Sequence, residues 1–227
     1  FHVGNNPPLQ THFILDKADY FQLSLEDGSL SELGISRKDA DVARVITDLN
    51  RVAVGVRYAG FTPSYDFFDP ALDRRVKAVQ EAFKGHAVSL KDWSQDWKHA
   101  VFYVEGPASS GDFYLHTKGE GLKHITAARP NIPAEAIHPV TQFEYPARDG
   151  LSIPALLTVP LERAENSKQL PTVLLPHGGP HAYDRMGFDW LAQALAEQGF
   201  LVIQPQFRGS EGFGRSGRQQ CYHCRPP

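Results

Sequence analysis

The stretch Thr172-Val173-Leu174-Leu175-Pro176-His177-Gly178-Gly179-Pro180 decides how the rest of the chain is read. It opens on a short unbroken apolar run, the pattern of a strand covered on both faces. It then breaks on a proline and two adjacent glycines, residues that let the backbone take conformations closed to others and bring its N–H groups close to a ligand. Downstream, Asp184 to Gln198 sets Phe188, Leu191, Ala194 and Leu195 on one face of a helix that Gly199 stops, with Asp184 as the expected N-cap. Phe200 to Ile203 reads as a second buried strand. Strand, glycine turn, helix, strand, joined by a right-handed crossover, is the start of an α/β sheet. Upstream of it Leu151 to Val159 is extended and apolar, and Pro160 to Pro171 is a polar connection.

Before about Thr141 to Arg148 the grammar is different. Apolar residues come in short runs separated by turn chemistry: Phe13 to Leu15, Val42 to Ile46, Val52 to Tyr58, His86 to Trp93, Lys98 to Glu105, Asp112 to Thr117 and Leu122 to Ile125. Short strands joined by tight turns describe an antiparallel meander, the unit of a propeller blade, although a plain all-β region has the same pattern and no exact internal period is visible. Asp73 to Lys84 breaks the rhythm with Val76, Val79, Gln80 and Phe83 at helical spacing and Gly85 as a C-terminal cap, and is expected as a helix inserted between blade strands.

Composition narrows the function classes. The 227 residues are 41% hydrophobic and 22% charged, as in a folded globular protein. A net charge of −3 supplies no basic field for a phosphate backbone, so no nucleic-acid partner is expected. No apolar run approaches the roughly 20 residues needed to cross a bilayer, so no membrane partner is expected either. The chain begins with Phe1 rather than Met, so a targeting segment could have been lost and localisation stays open. Cys221 and Cys224 both lie in the final residues, so packing rather than disulfides must hold the body together.

A glycine turn between a strand and a helix is where α/β-hydrolases supply one oxyanion-hole donor. A fixed N–H there meets negative charge as a tetrahedral intermediate forms, and losing such a donor costs about 10²–10³ in rate. A strand-to-helix turn that uses glycines only for sterics would look the same. A second motif follows the next strand: Gln206-Phe207-Arg208-Gly209-Ser210-Glu211-Gly212-Phe213-Gly214. The run PHGGP, a helix, then GFLVIQPQFRGSEGFG resembles the peptidase domain of the prolyl oligopeptidase family, in its acylaminoacyl-peptidase and dipeptidyl-peptidase-like branch. Ala147 to Pro160 is similar to that branch's first strand, so the resemblance covers about Phe143 to Gly214. It implies a β-propeller ahead of the hydrolase domain, and Asp69-Pro70-Ala71-Leu72 before a helix is also similar to this branch.

Acyl transfer needs a nucleophile, a base and a carboxylate that orients the base. Gly34-Ile35-Ser36-Arg37-Lys38 and Gly214-Arg215-Ser216-Gly217-Arg218 come nearest to the G-x-S-x-G elbow, and both lack its closing glycine. The resemblance implies a serine several tens of residues beyond the Arg208-Gly209-Ser210 motif, with the Asp and His further on. No triad is therefore expected in this chain, and none of its ten histidines is promoted to the base. Arg215 to Pro227 does not continue the family pattern and reads as a truncated or frame-shifted terminus. The competing reading is a metal or redox site at Cys221-Tyr222-His223-Cys224, which lacks a second ligand pair. Arg208 is read as a structural ion-pair residue, and Trp93, Trp97 and Trp190 as packing. Glu162 to Glu165 and Arg37 to Asp41 read as solvated charge clusters.

The expected architecture is therefore the C-terminal blades of a β-propeller over residues 1–140, followed by an incomplete α/β-hydrolase domain over residues 141–227. The resemblance implies a serine peptidase that hydrolyses oligopeptides through an acyl-enzyme, with a peptide substrate and without metal or organic cofactor, the chain alone being inactive. An esterase or lipase of the same fold and a non-catalytic propeller binding module are the alternatives. Gly178 and Gly179 are the expected oxyanion donors, with His177, Pro180 and Tyr183 as candidate substrate contacts. Oligomeric state is not legible.

Overall fold

The computed structural model describes residues 9–12, 19–30, 35–107, 109–179 and 182–214. Phe13 to Leu15, Pro180 and everything after Gly214, including Ser216 and both cysteines, lie outside these described residues. The chain divides into two compact units. One runs through Ala78 and resumes at Arg208; the other is Val79–Phe207.

In the first unit, β1 (Leu9–His12) and β2 (Asp19–Gln22) form an antiparallel pair. Next come β3 (Val42–Thr47), β4 (Ala53–Tyr58) and β5 (Ser64–Phe67), an antiparallel meander in that order. Period-two patterning puts Val42, Val56 and Tyr58 into a core shared with Ala40. The Asp48 carboxylate closes the β3–β4 turn by accepting the N–H groups of Asn50 and Val52, and Arg51 takes the left-handed conformation between them. The end of the second motif lies on this unit: Gly214 N–H donates to Asp41 Oδ2 at 2.9 Å, and Phe213 meets the Phe61 ring edge-on at 5.5 Å. Asp19 is buried with its Oδ1 unpartnered. Burial, and then the neighbouring Asp41, push its carboxyl above the ordinary value of 3.8.

Helix α1 (Pro70–Ala82) starts three residues before the expected Asp73. Pro70 has no N–H to waste at the first helical position, and Asp69 Oδ1 accepts the Leu72 N–H at 2.7 Å, so the chain enters the helix earlier than apolar spacing alone reveals. As expected, the helix stands between strands: it joins β5 to the first strand of the next sheet.

The second unit holds two sheets. The first is a four-stranded antiparallel meander, β6 (Ala87–Trp93), β7 (His99–Gly106), β8 (Ser109–Thr117) and β9 (Gly121–Ala127), neighbours in chain order. Strand β7 is central, and Ala100, Phe102 and Val104 alternate into the core. Gly111, at φ +117°, makes room for a ring from β7: a Cβ there would stand 2.0 Å from the Tyr103 hydroxyl oxygen. The second sheet contains β10 (Val140–Pro146), β11 (Ser152–Thr158), β12 (Thr172–Leu174) and β13 (Leu201–Pro205) in the order β10-β11-β13-β12. Its pairings are antiparallel except for β12 beside β13, which is parallel. Helix α2 (Trp190–Glu197) crosses between these two and packs on β11 and β13.

Three expectations for this sheet are corrected. Strand β12 is not covered on both faces: Leu174 is 63% exposed, nothing packed on that side hides it, and among the described residues the strand is also a sheet edge. Helix α2 begins at Trp190 and not near Asp184: Asp189 is the N-cap, its Oδ1 accepting the N–H groups of Leu191 and Ala192. Its buried face is Ala192, Gln193 and Ala196 instead of Leu191 and Ala194: Gln193 is drawn inward by its two bonds to the His138 backbone, which turns the helix about its axis. Strand β10 was not read from sequence, though Phe143 and Tyr145 alternate with Gln142 and Glu144.

A buried histidine ties α2 to the start of β10. The His138 N–H donates to Gln193 Oε1 at 2.8 Å and its carbonyl accepts from Gln193 Nε2 at 3.0 Å. The ring accepts the Leu161 N–H at Nδ1, which leaves Nε2–H to donate to Glu197 at 3.0 Å.

Candidate functional site

The glycine turn leaves the C-terminal end of β12, the third strand of its sheet in chain order, and leads toward α2. Leu175 N–H still pairs with the Ile203 carbonyl at 2.8 Å, so the chain is held to the parallel ladder up to the turn itself. Beyond Pro176 the ladder ends. His177 turns back and stacks on Phe207, ring centroids 4.4 Å apart and planes 19° from parallel. Its Nδ1–H donates to the Gly178 carbonyl at 2.9 Å. That bond ties down the carbonyl side of the turn and leaves the amide side alone.

Gly178 and Gly179 are both exposed, and Gly179 has φ +127°, a value that side chains with a Cβ resist. A Cβ on Gly178 would meet nothing within 4 Å, so crowding by the protein does not explain that glycine. Among the described residues neither glycine N–H donates to a backbone carbonyl. Two adjacent uncommitted amides beside open space, on a turn clamped at its entrance, form an arrangement that can receive an anionic oxygen.

The return segment from the turn to α2 is fixed from β13 and from the strand tail beyond it. Gln206, 3% exposed, accepts the Asp184 N–H at Oε1 (3.1 Å) and donates Nε2–H to the Asp184 carbonyl (3.2 Å), so one side chain replaces a backbone partner. Gln204, 4% exposed, donates to Asp189 Oδ2 at 3.1 Å while Oδ1 caps the helix. Neither glutamine stood out in the sequence; the signal was their period-two spacing on a strand where buried polar side chains must find partners. Asp184 Oδ2 is buried with no hydrogen-bond partner. Burial raises the Asp184 carboxyl above its ordinary range; His177 opposes the shift and Asp189 adds to it.

Of the residues proposed to contact substrate, His177 borders the turn and Tyr183 lies on the return segment, half-buried, with the Arg185 guanidinium 5.8 Å from its ring centroid. Pro180 lies outside the described residues. No group of three or more His, Cys, Asp or Glu side chains able to hold a metal ion occurs among the described residues. No described helix is long and apolar enough to cross a membrane.

No family model matches the chain. It is 29% identical over 169 residues to dipeptidyl aminopeptidase BIII of Pseudoxanthomonas mexicana, which covers 72% of this chain and 24% of that protein. It is 35% identical over 79 residues to the acylamino-acid-releasing enzyme of Sus scrofa, 35% of this chain and 11% of the relative. The chain therefore spans a quarter or less of the length of these curated relatives. In structure it is similar to a puromycin-hydrolyzing peptidase of Mycobacterium tuberculosis, with a TM-score of 0.62 and 16% identity over 90% of this chain and 32% of that one.

Proposed function

We propose, from the premise that this chain's sequence and structural relatives are peptidases of the prolyl oligopeptidase family, that it is a portion of a serine peptidase acting on oligopeptides through an acyl-enzyme. Its structural neighbours are enzymes with propeller and hydrolase domains. In this proposal residues 1–140 contribute propeller blades and residues 141–227 the opening part of the hydrolase domain. The observation that carries it is the pair of uncommitted amides at Gly178 and Gly179, presented on a turn that follows a parallel strand. As an attacked carbonyl becomes tetrahedral its oxygen gains charge, and donors already in place stabilise that state without reorganising. Stabilisation of this kind acts on the transition state more than on the bound substrate, so it raises turnover. The serine, histidine and aspartate that would complete the reaction are not recognised in this sequence, so the chain by itself is proposed to be silent.

The protein expressed from its complete reading frame should react with a fluorophosphonate probe and release chromophore from amino-acyl p-nitroanilides faster than from simple p-nitrophenyl esters. The present chain should do neither. Ester hydrolysis without amide hydrolysis would replace the peptidase with an esterase, and absence of labelling in the complete protein would remove the serine mechanism altogether.

A further inference from the structure

Glu105, at the end of β7 in the all-β meander, reaches the segment that carries the chain from the glycine turn into α2. Its Oε2 accepts the Phe188 N–H at 3.1 Å, one residue before the Asp189 cap. The fit around it is close. A Cβ on Gly187 would stand 2.6 Å from Glu105 Cδ and 2.7 Å from Oε1, so only glycine lets the carboxylate sit against the backbone there. The Phe188 side chain is held from the same meander: the Arg129 guanidinium lies 4.7 Å from its ring centroid. Arg129 is itself fixed by the Ser110 carbonyl and, at 3.3 Å, by the Tyr103 hydroxyl. Two charged side chains, one from β7 and one just past β9, thus grip one residue of the segment leading into α2, the carboxylate on its amide and the guanidinium on its ring.

We infer that Glu105 is a positioning residue for the proposed acyl transfer, acting from the meander through Phe188 on the segment that sets the exit of the Gly178–Gly179 turn. The inference rests on the peptidase reading of that turn. The turn's entrance is held by the Leu175 ladder bond and the His177–Phe207 stack, and its exit by Gln206 on Asp184 and Glu105 on Phe188. Of these restraints Glu105 alone comes from outside the sheet that carries the turn. A carboxylate acceptor strengthens the bond relative to a neutral one. A misplacement of about 1 Å caused far from the reacting atoms can cost on the order of 10²-fold in rate. Glu105 touches no reacting atom, so its loss should lower kcat with little change in KM.

The test uses the complete-frame protein with an amino-acyl p-nitroanilide, together with backbone amide exchange across residues 182–189. Glu105→Ala should lower kcat by about 10²-fold, with KM within threefold. It should also speed exchange at Phe188. Glu105→Gln keeps an acceptor oxygen and should recover most of the rate. Gly187→Ala pushes the carboxylate off from the other side without removing it and should reproduce the kcat loss. If Glu105→Ala fails to fold, the last two variants decide. Faster exchange at Phe188 with kcat unchanged overturns the positioning role and leaves the peptidase intact. Loss of rate carried by KM, or no rescue by glutamine, overturns it as well. A wild type that hydrolyses nothing sinks the peptidase proposal, and amide exchange then still reports whether the carboxylate holds Phe188.

Discussion

Asp189 carries two loads, so its replacement should cost more than an ordinary helix cap. Asp189→Ala removes the oxygen that accepts the Leu191 and Ala192 N–H groups; loss of a cap costs about 0.5–2 kcal/mol. It also strands the Gln204 amide, which is 4% exposed and donates to Asp189 Oδ2; an unsatisfied buried donor costs about 1–3 kcal/mol. The two together predict a loss of about 1.5–5 kcal/mol. Asp189→Ser should recover most of the cap and none of the Gln204 bond. The double variant Asp189→Ala with Gln204→Leu should lose less than the two single variants combined, by about 1–2 kcal/mol, because no orphan donor remains. Urea unfolding followed by tryptophan fluorescence would read this, with Trp190 adjacent to the cap as reporter. Asp189→Ala within 0.5 kcal/mol of wild type, or strict additivity of the pair, would refute the double role.

Gly111→Ala drives a Cβ to 2.0 Å from the Tyr103 hydroxyl at φ +117°; a loss of about 3 kcal/mol or more, or failure to fold, is expected by denaturation. Gly179→Ala, at φ +127°, should destabilise by about 1–3 kcal/mol in thermal melts and, under the proposed acyl transfer, lower kcat of the complete-frame protein more than it raises KM. The Asp19 carboxyl is raised from 3.8, so the folded state holds its proton more tightly than the unfolded chain does. Its stability contribution is therefore best at low pH and worsens as pH rises from about 3.8 through the folded value. Asp19→Asn should raise the midpoint of unfolding at pH 7, and the gain should vanish toward pH 3.8; a gain that persists unchanged in acid would contradict the burial argument.

Strands with strict alternation or tight polar turns were legible from the residues alone. Val42 to Ile46 became β3, Lys98 to Glu105 became β7, and the helix stop at Gly199 lies two residues beyond the last helical residue, Glu197. The start of α2 was not legible, because Asp184 and Asp189 are both good caps locally. What decides between them is Gln206, which occupies the Asp184 backbone, and Gln204, which meets Asp189. Exposure of β12 was hidden for a similar reason: an apolar run says that a strand suits a covered place, not which neighbours cover it. The glycine turn was read from its own residues, yet the side chains that restrain it, Phe207, Gln206 and Glu105, act through space. None of them carries a local signature.

The hydrogen bond from Gly214 to Asp41 joins residues 173 positions apart. A chain emerging from the ribosome can close the Val79–Phe207 unit from its own contiguous sequence, whereas the unit that holds residues 35–78 waits for residues made much later. Loop-closure entropy makes that late return slow rather than forbidden. During the interval the strands of residues 35–78 should remain open to chaperones and proteases, and nascent chains stalled before Gly214 should be cut within residues 35–78 far more readily than those extended well past it.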